Sequence, residues 1–266
     1  MPVKTERIHM VDRFSLRGQT SVVTGAAGGL GRALALGLAE AGSDVVVADV
    51  NLAGATETAA LLRDLGVRAS AHICDIADRA VVQTLASQVL SEYGRVDVLL
   101  NNAGVFQDGP SEDMDYERDW RRVMDTNVDG TFHMCQVFGR AMIAKGGGCI
   151  INIASKSGLT VDYPNKQAAY NTSKAAIIML TKSLAVEWAP RNVRVNCICP
   201  GNFVAHPDNP VLQPGHPYRE AWIRNTPAGR FGQPSELVTV ALYLASPASS
   251  FTTGAVEVVD GGFTII

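Results

Sequence analysis

The residue types best suited to chemistry in this chain are a phenol and an amine four positions apart, Tyr170 and Lys174. They stand in the stretch Ala169-Tyr170-Asn171-Thr172-Ser173-Lys174. Residues 175–188, which follow, are rich in Ala, Ile, Leu and Met and free of Gly and Pro, so they predict a helix. On a helix, positions i and i+4 share a face, which aims phenol and ammonium into the same space. A phenol ordinarily loses its proton at about pH 10, and a nearby positive charge makes the phenolate easier to form. The pair therefore predicts a group that trades protons with an alcohol or a carbonyl. Tyr and Lys at this spacing are more often plain surface neighbours, so the weight falls on what surrounds them.

Composition narrows the setting. The chain has 266 residues, 47% of them hydrophobic and 18% charged, which gives room for a large core and argues against disorder. A net charge of −3 without a long basic run offers no electrostatic footprint for nucleic acid or an anionic membrane. No apolar run is long enough to span a bilayer. Residues 1–15 read as a polar lead-in without the apolar stretch of a secretory signal. The five cysteines, at 74, 135, 149, 197 and 199, include no CxxC pair. They predict reduced, buried thiols in a cytoplasmic protein, with no metal site.

The elements that must position Tyr170 and Lys174 follow an alternating pattern. A β-type run at 20–24 leads into Gly25-Ala26-Ala27-Gly28-Gly29-Leu30-Gly31, and a helix continues over 32–41. Strand, glycine loop and helix in that order predict a phosphate cradle made by Gly25, Gly28, Gly29, Leu30 and Gly31. Gly25 permits the turn, Gly29 lets a pyrophosphate approach the backbone, and Gly31 lets helix and strand pack closely. The helix N-terminus adds N–H groups and a partial positive charge. The spacing is Gly-x-x-x-Gly-x-Gly rather than Gly-x-Gly-x-x-Gly. A second strand over 44–50 places Asp49 at its carboxyl end, where an acid accepts hydrogen bonds from ribose hydroxyls and repels a 2′-phosphate. No Arg or Lys lies in the loop before Gly31 or just after Asp49, so the expected cofactor is NAD rather than NADP.

Beyond this unit, helices are predicted over 52–65, 79–93, 117–144 and 235–244, and strands over 68–73, 96–100, 149–153, 193–199 and 255–259. Asp75 and Ile76 follow the third strand in position to flank an adenine, and Asn102 follows the fourth. Asn127 lies inside a long helical stretch, an unfavourable place for Asn unless it has a specific partner. Ser155 ends the fifth strand. Residues 202–226 hold Pro, His and Asn and read as an irregular substrate lid. The expected fold is a single α/β domain over 16–266, a doubly wound, Rossmann-type, seven-stranded and mostly parallel sheet. Ligands in such sheets sit beyond the carboxyl ends of the strands, where Gly25, Asp49, Asp75, Asn102 and Ser155 all fall.

The ordered set Thr24-Gly25-x-x-x-Gly29-x-Gly31, Asn101-Asn102-Ala103-Gly104, Asn127, Ser155, Tyr170-x-x-x-Lys174 and Pro200-Gly201 resembles the short-chain dehydrogenase/reductase family, from about Leu16 onward. The resemblance implies that Tyr170 is the general acid/base and that Ser155 orients the substrate oxygen. It also implies that Lys174 binds the nicotinamide ribose and lowers the pKa of Tyr170, and that Asn127 holds a proton-relay water. Pro200 and the Phe203 backbone are implied cofactor contacts. The family often has Thr two positions after Phe203; here Ala205 stands there, followed by His206. Within the family, residues 138–143, 153–158 and 164–170 resemble the polyol and sugar dehydrogenase branch.

Between Ser155 and Tyr170 the chain is polar, with Ser157, Asp162, Asn165 and Gln167. Such a wall suits a polyhydroxylated substrate, because buried hydroxyls need partners, although any one of these side chains could simply face water. Ser155, Ser157, Asn165, Tyr170 and Asn202 are the expected substrate contacts. The reaction expected is interconversion of a secondary alcohol and a ketone on a sugar alcohol or sugar. Reduction of a 3-oxoacyl chain and a catalytically idle NAD-binding protein are the alternatives. The stretches around Val137, Phe138, Met142, Ile177, Met179 and Leu180 are apolar over more than one face, which predicts burial on a second side in a homotetramer.

Overall fold

The computed structural model describes residues 10–205 and 210–266. Seven strands form one sheet in the order β3-β2-β1-β4-β5-β6-β7. They are β1 (Thr20–Thr24), β2 (Asp44–Asp49), β3 (Ala69–Ile73), β4 (Val98–Asn101), β5 (Gly148–Ile153), β6 (Val193–Pro200) and β7 (Val256–Val259). Every neighbouring pair is parallel, where the sequence predicts a mostly parallel sheet. Strands buried on both faces explain the unbroken apolar runs. Val23, Val45 and Leu100 pack to one side with Leu34, Leu38, Leu237 and Leu244, while Val22, Val46 and Leu99 pack to the other with Val82, Leu85, Met134 and Phe138. Burying each such side chain stabilises by roughly 1.5–3 kcal/mol.

The helices are α1 (Gly29–Glu40), α2 (Leu52–Asp64), α3 (Arg79–Tyr93), α4 (Arg122–Met124), α5 (Thr131–Lys145), α6 (Ala168–Trp188), α7 (Pro217–Arg224) and α8 (Pro234–Ala245). Their ends follow local chemistry. Asp78 caps α3 by accepting from the N–H groups of Ala80 and Val81, and Gly94 ends it in the left-handed region. Gln233 and Glu236 form a reciprocal capping box on α8, with Pro at its start.

Two predicted stretches differ. The helix expected over 117–144 runs through two π-helical segments, Tyr116–Arg121 and Asp125–Gly130, that flank α4 before α5 begins. The second carries Asn127. The lid expected to be irregular contains α7, which starts at a Pro that needs no N–H partner in the first turn and is capped by the His216 ring. Residues 10–14 of the lead-in form a 3₁₀ turn. Residues 1–9 and His206 lie outside the described residues.

The apolar residues that predicted a second buried side are mostly used within the chain. Phe138, Met142 and Ile177 are fully buried in it, and Val137 and Leu180 are partly buried against the same clusters; Met179 remains exposed. The physical reason is that these helices are pressed between the sheet and each other, so more than one stripe is covered.

Candidate active site

The carboxyl ends of β1, β2, β3 and β4 open onto one cleft of ≈ 690 Å³. Gly25, Gly28, Gly29, Leu30, Gly31, Asp49, Asp75, Ile76 and Asn102 all line it, together with Ala103, Gly104, Arg122, Thr126 and Ala205. β1 lies between β2 and β4, the place where the strand order reverses and such sheets bind ligands. Gly25 has φ +64°, and a Cβ there would stand 2.7 Å from Ala103 Cα. A Cβ on Gly31 would overlap the Gly25 carbonyl and crowd Asn102 Nδ2. No side chain caps α1, whose N-cap is Gly28, so its first N–H groups are left to a ligand.

The rest of the cleft is built by hydrogen bonds at the strand ends. Asp49 accepts from Ala27 N–H through Oδ2 and from Asn51 N–H through Oδ1, each at 2.9 Å, which fixes its carboxylate at the cleft edge. Arg32, the basic residue just after Gly31, turns away toward α2. It donates to Ala27 O, Gly54 O and Thr58 Oγ1 and pairs with Glu57. Asn102 acts as a clamp: Nδ2 donates to Thr24 O and Gly25 O, while Thr24 Oγ1 accepts the N–H groups of Asn102 and Ala103. Thr24 is fully buried, and its clamping role is visible only once β1 and β4 are side by side. A dinucleotide fits this donor set: a glycine floor that a Cβ would fill, free helix N–H groups for phosphate, and a carboxylate for ribose hydroxyls.

Ser155, Tyr170 and Lys174 meet beyond the end of β5. Tyr170 lies in the first turn of α6, near enough to Ser155 for that hydroxyl to ease its ionisation, and Ser155 Oγ accepts from Ser157 N–H. Lys174 is buried, donates from Nζ to Ile153 O at 2.9 Å, and sits 5.6 Å from the centre of the Tyr170 ring. A Cβ on Gly104 would be 3.5 Å from Lys174 Nζ, so the amine borders the floor of the cleft. Asn127, brought inward by the π-helical turn, accepts from Val105 N–H and donates to Val105 O and Ser173 Oγ. Its side chain straps the cleft loop to α6.

The electrostatics reverse one expectation. The Tyr170 phenol is pushed up to about 12, chiefly by burial, although the Ser155 hydrogen bond works the other way. Asp162 and Cys199 add to the rise. Lys174 falls to about 8 because burial penalises its ammonium. In the chain alone burial sets the direction, and Lys174 is not among the groups that move Tyr170.

The substrate side is made by three loops. Phe106 packs edge-on against the Tyr170 ring at 5.2 Å. Next to it, Gln107 is buried, with Oε1 lacking a hydrogen-bond partner. Two expected substrate contacts are engaged within the chain: Ser157 Oγ accepts from Gln167 Nε2, and Asn165 Oδ1 accepts from Trp222 Nε1 of α7. Tyr218 of α7 donates to Asp108 Oδ2, so the lid helix holds both neighbouring loops. Asn202 and Phe203 line a separate cavity of ≈ 70 Å³ with Arg230, Glu236 and Asp260, and the Phe203 ring lies on Gly232. Pro200 is buried at the end of β6, and Ala205 is the residue of this segment that reaches the cleft. Phe106, Gln107, Tyr218 and Trp222 carry no motif in the sequence; only the approach of distant loops brings them here.

Comparison with known proteins agrees with this geometry. Residues 25–264 match a family model described as enoyl-(acyl carrier protein) reductase. The chain is similar to galactitol 2-dehydrogenase of Rhizobium johnstonii, at 40% identity over 95% of this chain and 97% of that protein. It is similar in structure to a short-chain type dehydrogenase/reductase from Mycobacterium marinum, at 38% identity and TM-score 0.91, over 97% of this chain and 100% of that one. A gluconate 5-dehydrogenase from Burkholderia cenocepacia, solved with NADP and tartrate, aligns with TM-score 0.91 at 37% identity over the same shares.

Proposed function

This chain belongs to the short-chain dehydrogenase/reductase family, and from that premise we propose that it reversibly oxidises a secondary hydroxyl of a sugar alcohol or sugar, with NAD as the hydride acceptor. The observation that carries the reading is the gathering of Tyr170, Ser155 and the buried Lys174, whose Nζ borders Gly104, at the end of the glycine-floored cleft. When bound, the nicotinamide supplies the hydride chemistry. The chain supplies the rest. Ser155 donates to the substrate oxygen and fixes it beside Tyr170. Tyr170 accepts the hydroxyl proton in oxidation and returns it in reduction. Lys174 would hold the nicotinamide ribose. Asn127 stands where a proton relay from Lys174 would leave the site. The N–H groups of α1 would hold the pyrophosphate, Asp75 and Ile76 would flank the adenine, and Pro200 and the Phe203 backbone would lie on the nicotinamide side.

NAD over NADP is supported by Asp49 at the cleft edge and by the commitment of Arg32 to α2. A 2′-phosphate would meet a carboxylate and, among the described residues, no free cation at that end. A polyol is supported by the similarity to galactitol 2-dehydrogenase. The five buried free thiols favour a cytoplasmic setting, and no helix of the described residues is long and apolar enough to cross a membrane. Exposed Phe132, Met179 and Val186 on α5 and α6 support a homotetramer, which sedimentation at micromolar concentration would test.

A panel of sugar alcohols and ketoses, read by NADH absorbance with NAD and NADP in parallel, tests the assignment. Turnover of polyols with NAD is expected. Turnover confined to 3-oxoacyl thioesters would move the protein to acyl reduction, and no turnover at all would leave a binding protein.

A further inference from the structure

Directly after Ser155 the chain buries a lysine. Lys156 is 2% exposed and ion-pairs with Asp162, itself 4% exposed. On its other side the Lys156 ammonium lies 3.8 Å from the centre of the Phe263 ring, on the C-terminal turn. Asp260 holds that turn by accepting from Gly262 and Thr264 N–H, each at 2.8 Å. The loop is pressed on α6 as well, since a Cβ on Gly158 would lie 2.7 Å from the Lys174 carbonyl carbon. A buried pair of this kind adds little net stability, because removing two charges from water costs about what their attraction returns. Its place beside the reacting groups calls for another account.

We propose that Lys156 is a positioning residue for the reaction: held between Asp162 and Phe263, it neutralises the carboxylate that bears on the Tyr170 phenol and pins the loop carrying Ser155. The charged and titratable groups facing this region come from four elements. Lys174 reaches Tyr170 from α6, Asp162 from the loop before it, and Cys199 from the end of β6; Asp260 acts on Lys156 from beyond β7. Asp162 raises the phenol's hold on its proton, and its Oδ1 has no hydrogen-bond partner. Lys156 is the cation paired with that carboxylate. Without it the full negative charge stands beside a phenol that must itself become negative when an alcohol is oxidised.

This inference rests on the alcohol-oxidation reading of the site but not on the identity of the alcohol. The test is the pH dependence of oxidation in the full-length enzyme, with any secondary alcohol the wild type turns over. Lys156→Met should move the rise of rate with pH upward by about one pH unit and lower kcat about tenfold, with little change in cofactor KM. Asp162→Asn should move the rise downward. The neutral pair Lys156→Met/Asp162→Asn should bring it back toward wild type, and comparing this pair with Asp162→Asn alone serves if Lys156→Met folds poorly. Shifts of opposite sign with recovery in the double variant support the proposal. Loss of kcat in both single variants with an unmoved pH profile overturns it and leaves the polyol reading intact. A wild type that oxidises no alcohol removes both.

Discussion

The two halves of the site are built from different materials. The dinucleotide half is backbone: a glycine with positive φ, a helix end without a cap, and strand ends clamped by Asn102 and Thr24. The substrate half is side chains reaching between loops far apart in the chain: Phe106 on Tyr170, Trp222 on Asn165, Tyr218 on Asp108 and Lys156 between Asp162 and Phe263. Backbone geometry suits a ligand that is always the same. Side chains can be exchanged without disturbing the sheet, so substrate choice can change on a fixed cofactor platform.

The sharpest way to separate the halves is Tyr170→Phe. It should lower kcat by about 100-fold or more while NAD binding, measured by fluorescence, persists. Near-normal turnover would end the assignment. Gly31→Ala attacks the other half. Its methyl overlaps the Gly25 carbonyl, so the protein should lose about 1–3 kcal/mol of stability, read by denaturant unfolding, and weaken in NAD affinity. Asp49→Ala removes one charged acceptor and should reduce the NAD-to-NADP ratio of kcat/KM by about 10- to 100-fold. An unaltered ratio would take cofactor choice away from the β2 end. The raised phenol gives a pH prediction: oxidation must remove the Tyr170 proton, so its rate should climb through the alkaline range, while reduction is favoured at lower pH. A plateau already reached at neutral pH would contradict the burial-dominated setting. Tyr218→Phe should have the smallest effect. Loss of one hydrogen bond to Asp108, worth about 0.5–1.5 kcal/mol, should raise the polyol KM roughly 2- to 10-fold and leave the NAD KM alone.

The same division decides what the sequence makes legible. The seven strands and the glycine loop depend on runs of neighbouring residues, and the expected bounds fall within two residues of the observed strands. Asp49 is found because one parallel strand end is enough to place it. Phe106 and Gln107 follow the Asn101–Gly104 stretch without any pattern of their own. Lys156 stands inside the 153–158 stretch, but its burial between Asp162 and Phe263 follows only from the folded chain. α7 is hidden by the polar, Pro-bounded composition of its loop. The π-helical turn shows in the sequence only as an Asn inside a helical stretch; its partners, Val105 and Ser173, appear once the chain is folded. Apolar residues on several faces of α5 and α6 report how many neighbours a helix has within the chain before they report anything about a second copy.

The attachment of α7 to two loops bears on the order of events in turnover. Tyr218 grips the loop after β4 and Trp222 grips the loop before α6, so the roof over the substrate cannot lift from one without straining the other. The glycine-floored cleft is lined by neither residue. A dinucleotide in that cleft would enter and leave without disturbing the roof, whereas an alcohol passing beneath α7 to Tyr170 would have to wait for it. Such an arrangement predicts a compulsory sequence, cofactor first on and last off, which product-inhibition patterns would check.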